Sequence, residues 1–200
     1  MRVSRIQAAE NRQTVINVAS RLFRENGFDG IGLKDLMEAA GLTQGAFYKQ
    51  FASKDDLAAQ ASRRALESAF GRWSAAAEAN PKDPLGAVIE FYLSMAHREE
   101  RGDGCPVVAL GSDAARQGVD VKASFEAGIR KYLEMLGGWI GEPDGEDSSG
   151  KAMAILSTMV GALVLSRAVN NKLLSKRFLQ AAAKDVLARS SASDAATRTD

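Results

Sequence analysis

The stretch Asp35-Leu-Met-Glu-Ala-Ala-Gly-Leu-Thr-Gln-Gly-Ala-Phe-Tyr-Lys-Gln-Phe51 decides how this 200-residue chain folds. Leu33, Leu36, Met37 and Ala40 share one face of a short helix that Gly41 interrupts. Thr43 caps a third short helix running through Gln50. Upstream, Val15, Ala19, Leu22 and Phe23 form one apolar stripe on a helix from about Asn11 to Asn26, stopped by Gly27. Downstream, Ser53-Lys-Asp-Asp56 starts a long fourth helix as a capping box, with Leu57, Ala61, Leu66, Ala69, Phe70 and Trp73 along it.

The rest of the chain continues in helices. Asn80-Pro-Lys-Asp-Pro84 breaks the chain, and Leu85, Val88, Ile89 and Tyr92 mark a fifth helix. Cys105-Pro106 opens a sixth after the loop Arg101–Gly104, and Asp120 caps a seventh carrying Val121, Phe125, Ile129, Tyr132, Leu136 and Ile140. After a polar loop, 141–150, an eighth helix spans 151–171 and a ninth spans about 175–189. No alternating β-branched run or Asn-Gly hairpin competes, so the expected fold is all-α: an N-terminal three-helix helix-turn-helix domain plus a C-terminal domain of about six helices. The expected boundaries are a flexible basic arm at 1–10, the helix-turn-helix at 11–56, a ligand-binding and dimerisation domain at 57–189 and a disordered tail at 190–200.

Composition narrows the function. One Cys and one His exclude a disulfide framework within the chain, a Cys-rich zinc module and a multi-histidine metal site; no metal or cofactor is expected. Met1-Arg-Val-Ser-Arg-Ile6 lacks the apolar run of a secretory signal. The longest uncharged stretch, Ala152 to Ser166, falls short of the ~20 residues a bilayer span needs. A cytoplasmic protein without a membrane partner is expected. The net charge of +1 divides unevenly, +3 over residues 1–64 and −2 over 65–200.

A helix-turn-helix reads DNA with the N-terminal end of its second helix, which must carry small or polar side chains to enter the major groove. Thr43 and Gln44 offer donors to phosphates or base edges, and Gly45 and Ala46 allow close approach. Leu42, Phe47 and Phe51 turn inward; Tyr48, Lys49 and Lys54 face the sugar-phosphate backbone, and Lys34 adds a further cation. Arg2 and Arg5 of the arm are placed to reach the minor groove or to form a flexible leader. A plain helical bundle with the same spacing is the alternative at this level.

The matched positions go further. Phe23, Gly27-Phe28, Asp35-Leu36-Met37, Ala40-Gly41-Leu42-Thr43, Gly45-Ala46-Phe47-Tyr48-Lys49-Gln50-Phe51 and Ser53-Lys54-Asp55-Asp56-Leu57 closely resemble the DNA-binding domain of the TetR family of bacterial regulators, over residues 10–58. The resemblance implies an all-α homodimer. It would bind double-stranded palindromic operator DNA, usually as a repressor, and be released by a small-molecule inducer. Gly32 and Gln50 depart from the family pattern, which often has Ser or Thr at the first position and His or Tyr at the second.

Residues 60–190 carry no strong motif. Helix 151–171 is apolar on more faces than one chain needs to bury, so Leu156, Val160, Leu163, Phe178 and Ala182 are assigned to a dimer contact. The alternative is the central core helix of a monomer. Trp73, Phe91 and Phe125, with Tyr92, Met95, Trp139, Met153 and Met159, supply apolar surface for an apolar or aromatic ligand, or for ordinary core. Cys105 precedes a helix whose dipole favours thiolate character, with Arg101 nearby. Gly104-Cys105-Pro106 is similar to a segment of a TetR subgroup whose Cys senses electrophiles or oxidants. A small buried residue is the competing reading. His97 is a candidate to approach that thiol or to bind a ligand, or a plain helix C-terminal residue. A constitutive regulator without ligand and a thiol-dependent enzyme are the other functional classes; no catalytic motif or phosphate-cradling loop favours the latter.

Overall fold

A computed structural model describes the backbone of residues 4–140 and 146–196 and the side chains of 4–140 and 150–189. Arg2, the start of the polar loop after Ile140 and the last four residues lie outside the described residues. The described residues form ten helices and no strand: α1 Arg5–Asn26, α2 Leu33–Ala39, α3 Gln44–Phe47, α4 Lys54–Ala79, α5 Pro84–Tyr92, α6 Met95–Glu99, α7 Pro106–Ala114, α8 Val119–Ile140, α9 Glu146–Ala168 and α10 Lys172–Ala196. The architecture is all-α, as the sequence pattern requires. Packing divides the chain into one unit of Met1–Ala69 and Arg101–Gly128 and another of Phe70–Glu100 and Ile129–Asp200, the three divisions falling within α4, in the loop after α6 and within α8.

The first unit is built on the α1 stripe. Val15, Ile16, Ala19 and Phe23 are buried with Phe28, Leu36, Met37, Phe47, Phe51, Leu57, Leu110, Val121 and Phe125. Each large apolar side chain so buried stabilises the fold by roughly 1.5–3 kcal/mol relative to exposure. Ser4 caps α1 by accepting from the Gln7 amide at 3.1 Å, so the helix begins at Arg5 where a flexible arm through residue 10 was expected. On α8, Gly128 allows contact with α4: a Cβ there would stand 2.6 Å from the Leu66 methyl carbons.

The second unit centres on aromatic packing. Trp73, Tyr92 and Tyr132 are fully buried, with ring centroids 5.6 Å apart for Trp73–Tyr92 and 4.5 Å for Trp73–Tyr132. α9 and α10 pack against each other, with Ile155, Leu156, Met159 and Leu163 buried on one helix and Leu179, Ala182 and Val186 buried on the other. Arg167 donates to the carbonyls of His97, Arg98 and Glu100 at 2.9, 2.9 and 3.1 Å, satisfying the C-terminal end of α6.

Several boundaries differ from the sequence reading. The fifth helix ends at Tyr92, and Ser94 caps a separate α6 by accepting from the His97 amide at 3.0 Å. α9 begins five residues early, at Glu146, and ends at Ala168. α10 starts at Lys172 because Asn171 Oδ1 accepts from the Leu174 amide at 2.9 Å, and it continues to Ala196, so 190–196 are helical where a disordered tail was expected. Counting uncharged residues also understated α9: by length and composition Gly150–Ala168, mean hydropathy 1.3, is long and apolar enough to cross a membrane, although Lys151 and Arg167 lie within it. It packs instead against α10.

Candidate nucleic-acid interface

The turn between α2 and α3 is closed by two hydrogen bonds. The Leu42 amide donates to Met37 O and the Gly41 amide to Glu38 O, both at 2.9 Å, with Gly41 at φ +71°. This 6→1 and 5→2 pair is a Schellman motif, which needs a residue in the left-handed region at Gly41. Leu42 then folds back onto the core beside Met37, fixing the direction in which the chain enters α3.

α3 is a single helical turn, Gln44–Phe47, extended by turn residues to Gln50, and so is shorter than the expected Thr43–Gln50 helix. Thr43 occupies the cap position with extended backbone but its side chain makes no capping hydrogen bond. Phe47 and Phe51 are buried and stacked, centroids 5.3 Å apart, anchoring the turn from beneath. Thr43, Gln44, Gly45, Tyr48 and Lys49 are exposed, and Ala46 is half-buried. Tyr48, 69% exposed, meets the edge of Phe47 in a T-shaped contact. Lys34, exposed in the first turn of α2, and Lys54, half-buried at the start of α4, complete the predicted set. Gly32 caps α2 without a side-chain hydrogen bond.

A network that sequence reasoning missed holds this turn from behind. Arg12 of α1 donates to Gln60 Oε1 at 2.6 Å and to Gln50 O at 3.4 Å, with its guanidinium over the Phe51 ring at 5.1 Å. Gln60 Nε2 in turn donates to Asp56 Oδ1 at 2.7 Å, and Asp56 Oδ2 accepts from the Ala52 amide at 3.1 Å. The Asp56 amide donates to Ser53 Oγ, so the capping box at the start of α4 also secures the exit from α3. Gln50 Oε1 is buried and has no hydrogen-bond partner among the described residues.

The predicted sensor residues are divided between the two packing units. Trp73, Phe91 and His97 belong to the second unit, where His97 stacks on Phe91 at 5.3 Å and Arg72 lies over the other residue of that stack at 4.9 Å from its centroid. His97 Nδ1 donates to Tyr92 O at 2.7 Å. Burial, with the nearby Arg72 and Arg167 charges, depresses the His97 pKa despite the opposing Tyr92 hydrogen bond and Glu100. Cys105 and Phe125 belong to the first unit, where Phe125 is buried in the core. Cys105 is the N-cap of α7, 3% exposed.

The predicted dimer residues also divide. Leu156, Leu163 and Ala182 are buried within the chain itself, so they are not available to a partner as expected. Val160 and Phe178 are half-buried. The exposed large apolar residues on these helices are Met153, Val164, Leu165, Leu173 and Leu174. Met153, Ser157, Val160, Gly161, Val164 and Ala168 share one face of α9 by helical spacing, and a Cβ added at Gly161 would meet nothing within 4 Å.

Comparison with known proteins places these features. The model for bacterial regulatory proteins of the TetR family matches residues 15–61, which contain α2, α3 and the Arg12-held end of the turn. The HTH-type transcriptional regulator AcrR of Shigella flexneri is 34% identical over 95 residues, covering 47% of this chain and 44% of that protein. The HTH-type transcriptional repressor NemR of Escherichia coli K12 is 23% identical over 130 residues, 64% of this chain and 65% of that one. The chain thus spans between about half and two thirds of the length of these curated relatives. The crystal structure of reduced E. coli NemR superposes with a TM-score of 0.74 at 19% identity, over 88% of this chain and 95% of that one, and so has the same fold.

Proposed function

Because the chain belongs to the TetR family of bacterial regulatory proteins through its N-terminal helices, we propose that it is a cytoplasmic, dimeric DNA-binding transcriptional regulator. The observation that carries this reading is the Gly41 turn, which leaves Thr43, Gln44, Gly45, Tyr48 and Lys49 exposed over the buried Phe47–Phe51 pair. In this reading α3 enters the major groove, with Gln44 at base edges and Tyr48, Lys34, Lys49 and Lys54 at phosphates.

The second copy docks on α9 and α10. Val164, Leu165, Leu173 and Leu174 lose their water there, and Gly161 admits the partner's helix. Two recognition helices about one DNA turn apart, ~34 Å, then require a palindromic operator. NemR, to which this chain is similar, is a repressor, and repression is the reading adopted for this chain.

Release is proposed through a small apolar, aromatic or electrophilic inducer. Phe91, half-buried between His97 and Arg72, offers the first two chemistries a surface. Cys105 offers the third a nucleophile: its sulfur bonds to one carbon of an activated C=C bond, the π bond breaks, and the thiol proton, relayed by water, ends on the adjacent carbon. A thiol buried at the N-cap of α7 reacts only when the 101–104 loop opens. An inducer shifts the dimer between DNA-competent and incompetent states by its differential affinity for the two.

A mobility shift on the DNA flanking the protein's own gene tests the reading. The wild-type dimer retards a palindromic fragment and releases it after treatment with N-ethylmaleimide, whereas Cys105→Ser binds and stays bound. A monomer that retards no such fragment overturns the regulator reading; release of Cys105→Ser by the reagent overturns only the thiol switch.

A further inference from the structure

The first unit contains an open cleft of about 390 Å³ whose lining includes Asn17, Ser20, Arg21, Arg24, Arg64 and Asp103. Three guanidiniums meet one carboxylate there, a local excess of positive charge in a chain whose net charge is +1. The cleft joins three pieces of backbone: the middle of α1, the part of α4 around Arg64 and the 101–104 loop.

Its cations are held in different ways. The Arg24 side chain, only 3% exposed, is fixed in the wall: Nε donates to Ser20 O at 2.9 Å and a terminal nitrogen to Gly104 O at 3.0 Å. Its other terminal nitrogen stands 3.8 Å from Asp103 Oδ1, a carboxylate that is 77% exposed. Arg64 donates Nε to Asn17 Oδ1 at 2.9 Å, which orients its fork while leaving both terminal nitrogens without a partner among the described residues. Arg21, exposed on α1, has no hydrogen bond or ion pair among the described residues. Glu25 is the other acidic group beside this loop, against Gly102. Guanidinium forks match planar or tetrahedral oxyanions, they stay charged at any working pH, and a fixed charge in a partly dry wall is felt more strongly than one in water.

We propose that this cleft binds a small polyanion bearing phosphate or carboxylate groups, gripped by the forks of Arg21 and Arg64 with the Arg24 charge behind them. The volume is that of a site for an organic molecule, more than inorganic phosphate fills. The exposed Asp103 carboxylate occupies the mouth near Arg24 and competes with the incoming anion. A DNA backbone is a poor occupant. The cleft is concave and carries that carboxylate, and Arg21 lies about 13 Å along α1 from Arg12, where α1 meets the turn after α3. A bound anion bridges α1, α4 and the loop before Cys105, so it stabilises the first unit by mass action.

Inorganic pyrophosphate and citrate are the probes, titrated calorimetrically into the full-length protein at constant ionic strength, with thermal unfolding followed in parallel. Saturable binding and a rising midpoint are expected for at least one of them. Arg21→Gln and Arg64→Gln, both exposed changes, each weaken it by about tenfold or more, and Asp103→Asn tightens it by about two- to fivefold. The opposite signs separate a ligand site from a structural disturbance, and the midpoint without probe reports whether each variant is folded. A response no larger than that of sodium chloride at equal ionic strength overturns the proposal. So does binding that the double Arg variant retains, or weaker binding by Asp103→Asn. If the Arg variants lose affinity for duplex DNA while pyrophosphate binding is unaltered, the arginines serve the nucleic acid and the cleft is not a polyanion site.

Discussion

Arg12 and Gln60, on α1 and α4, are joined by a hydrogen bond of 2.6 Å, and the Arg12 guanidinium covers the Phe51 ring at the exit of α3. One side chain of the first helix therefore ties α4 to the turn that follows α3. Arg12→Ala removes a charge-assisted, partly buried hydrogen bond and a cation–π contact, a loss of about 2 kcal/mol. The urea midpoint falls, and operator affinity falls with it. Arg12→Lys recovers the charge but not the fork, so it restores stability more than affinity. A variant whose operator and random-DNA affinities are both unchanged shows that α3 does not depend on this bond.

Gly41 tests the turn itself. At φ +71° a Cβ meets no atom within 4 Å, so Gly41→Ala suffers backbone strain alone. The expected cost is about 1–2 kcal/mol, read from the unfolding midpoint. Gly41→Asn, which tolerates the left-handed region better, loses less.

Base and backbone contacts separate by salt and sequence dependence. Lys54→Ala weakens binding to operator and random DNA alike and lowers the salt slope by about one. Gln44→Ala relaxes discrimination at one operator position by about 1–3 kcal/mol. Unchanged sequence preference in Gln44→Ala places the reading helix elsewhere.

His97 predicts a pH dependence. Burial holds its folded pKa below the usual 6.5. As pH falls through about 6.5, the unfolded chain takes up a proton that the folded chain does not, so stability is fully present above that value and declines below it. The urea midpoint is therefore lower at about pH 5.5 than at about pH 7.5. His97→Asn keeps a donor for Tyr92 O and narrows this gap; a gap of undiminished size assigns the dependence to other groups.

Punctuation made much of the fold legible in the sequence. Gly27, Gly41, the Ser53–Asp56 box, Pro84 and Pro106 act locally, through φ, a missing amide or a neighbouring hydroxyl, and the helices start or stop at them. The Leu93–Ser94 break lacks Gly or Pro, and apolar spacing runs through it, so α6 was hidden in a longer helix. The exposed residues around α3 follow from the Leu42, Phe47 and Phe51 spacing. The Arg12–Gln60–Asp56 relay joins residues far apart in sequence, and only the folded chain brings them together. α9 is apolar around its circumference, so periodicity could not separate buried Leu156 and Leu163 from exposed Val164 and Leu165.

The open space beside Gly161 bears on how the protein responds to dilution. If a second subunit fills it, the heat resistance of each subunit depends on how many others are in solution. A scarce regulator is then also a fragile one, and a bulky side chain at this position removes the dependence by leaving only the fragile form.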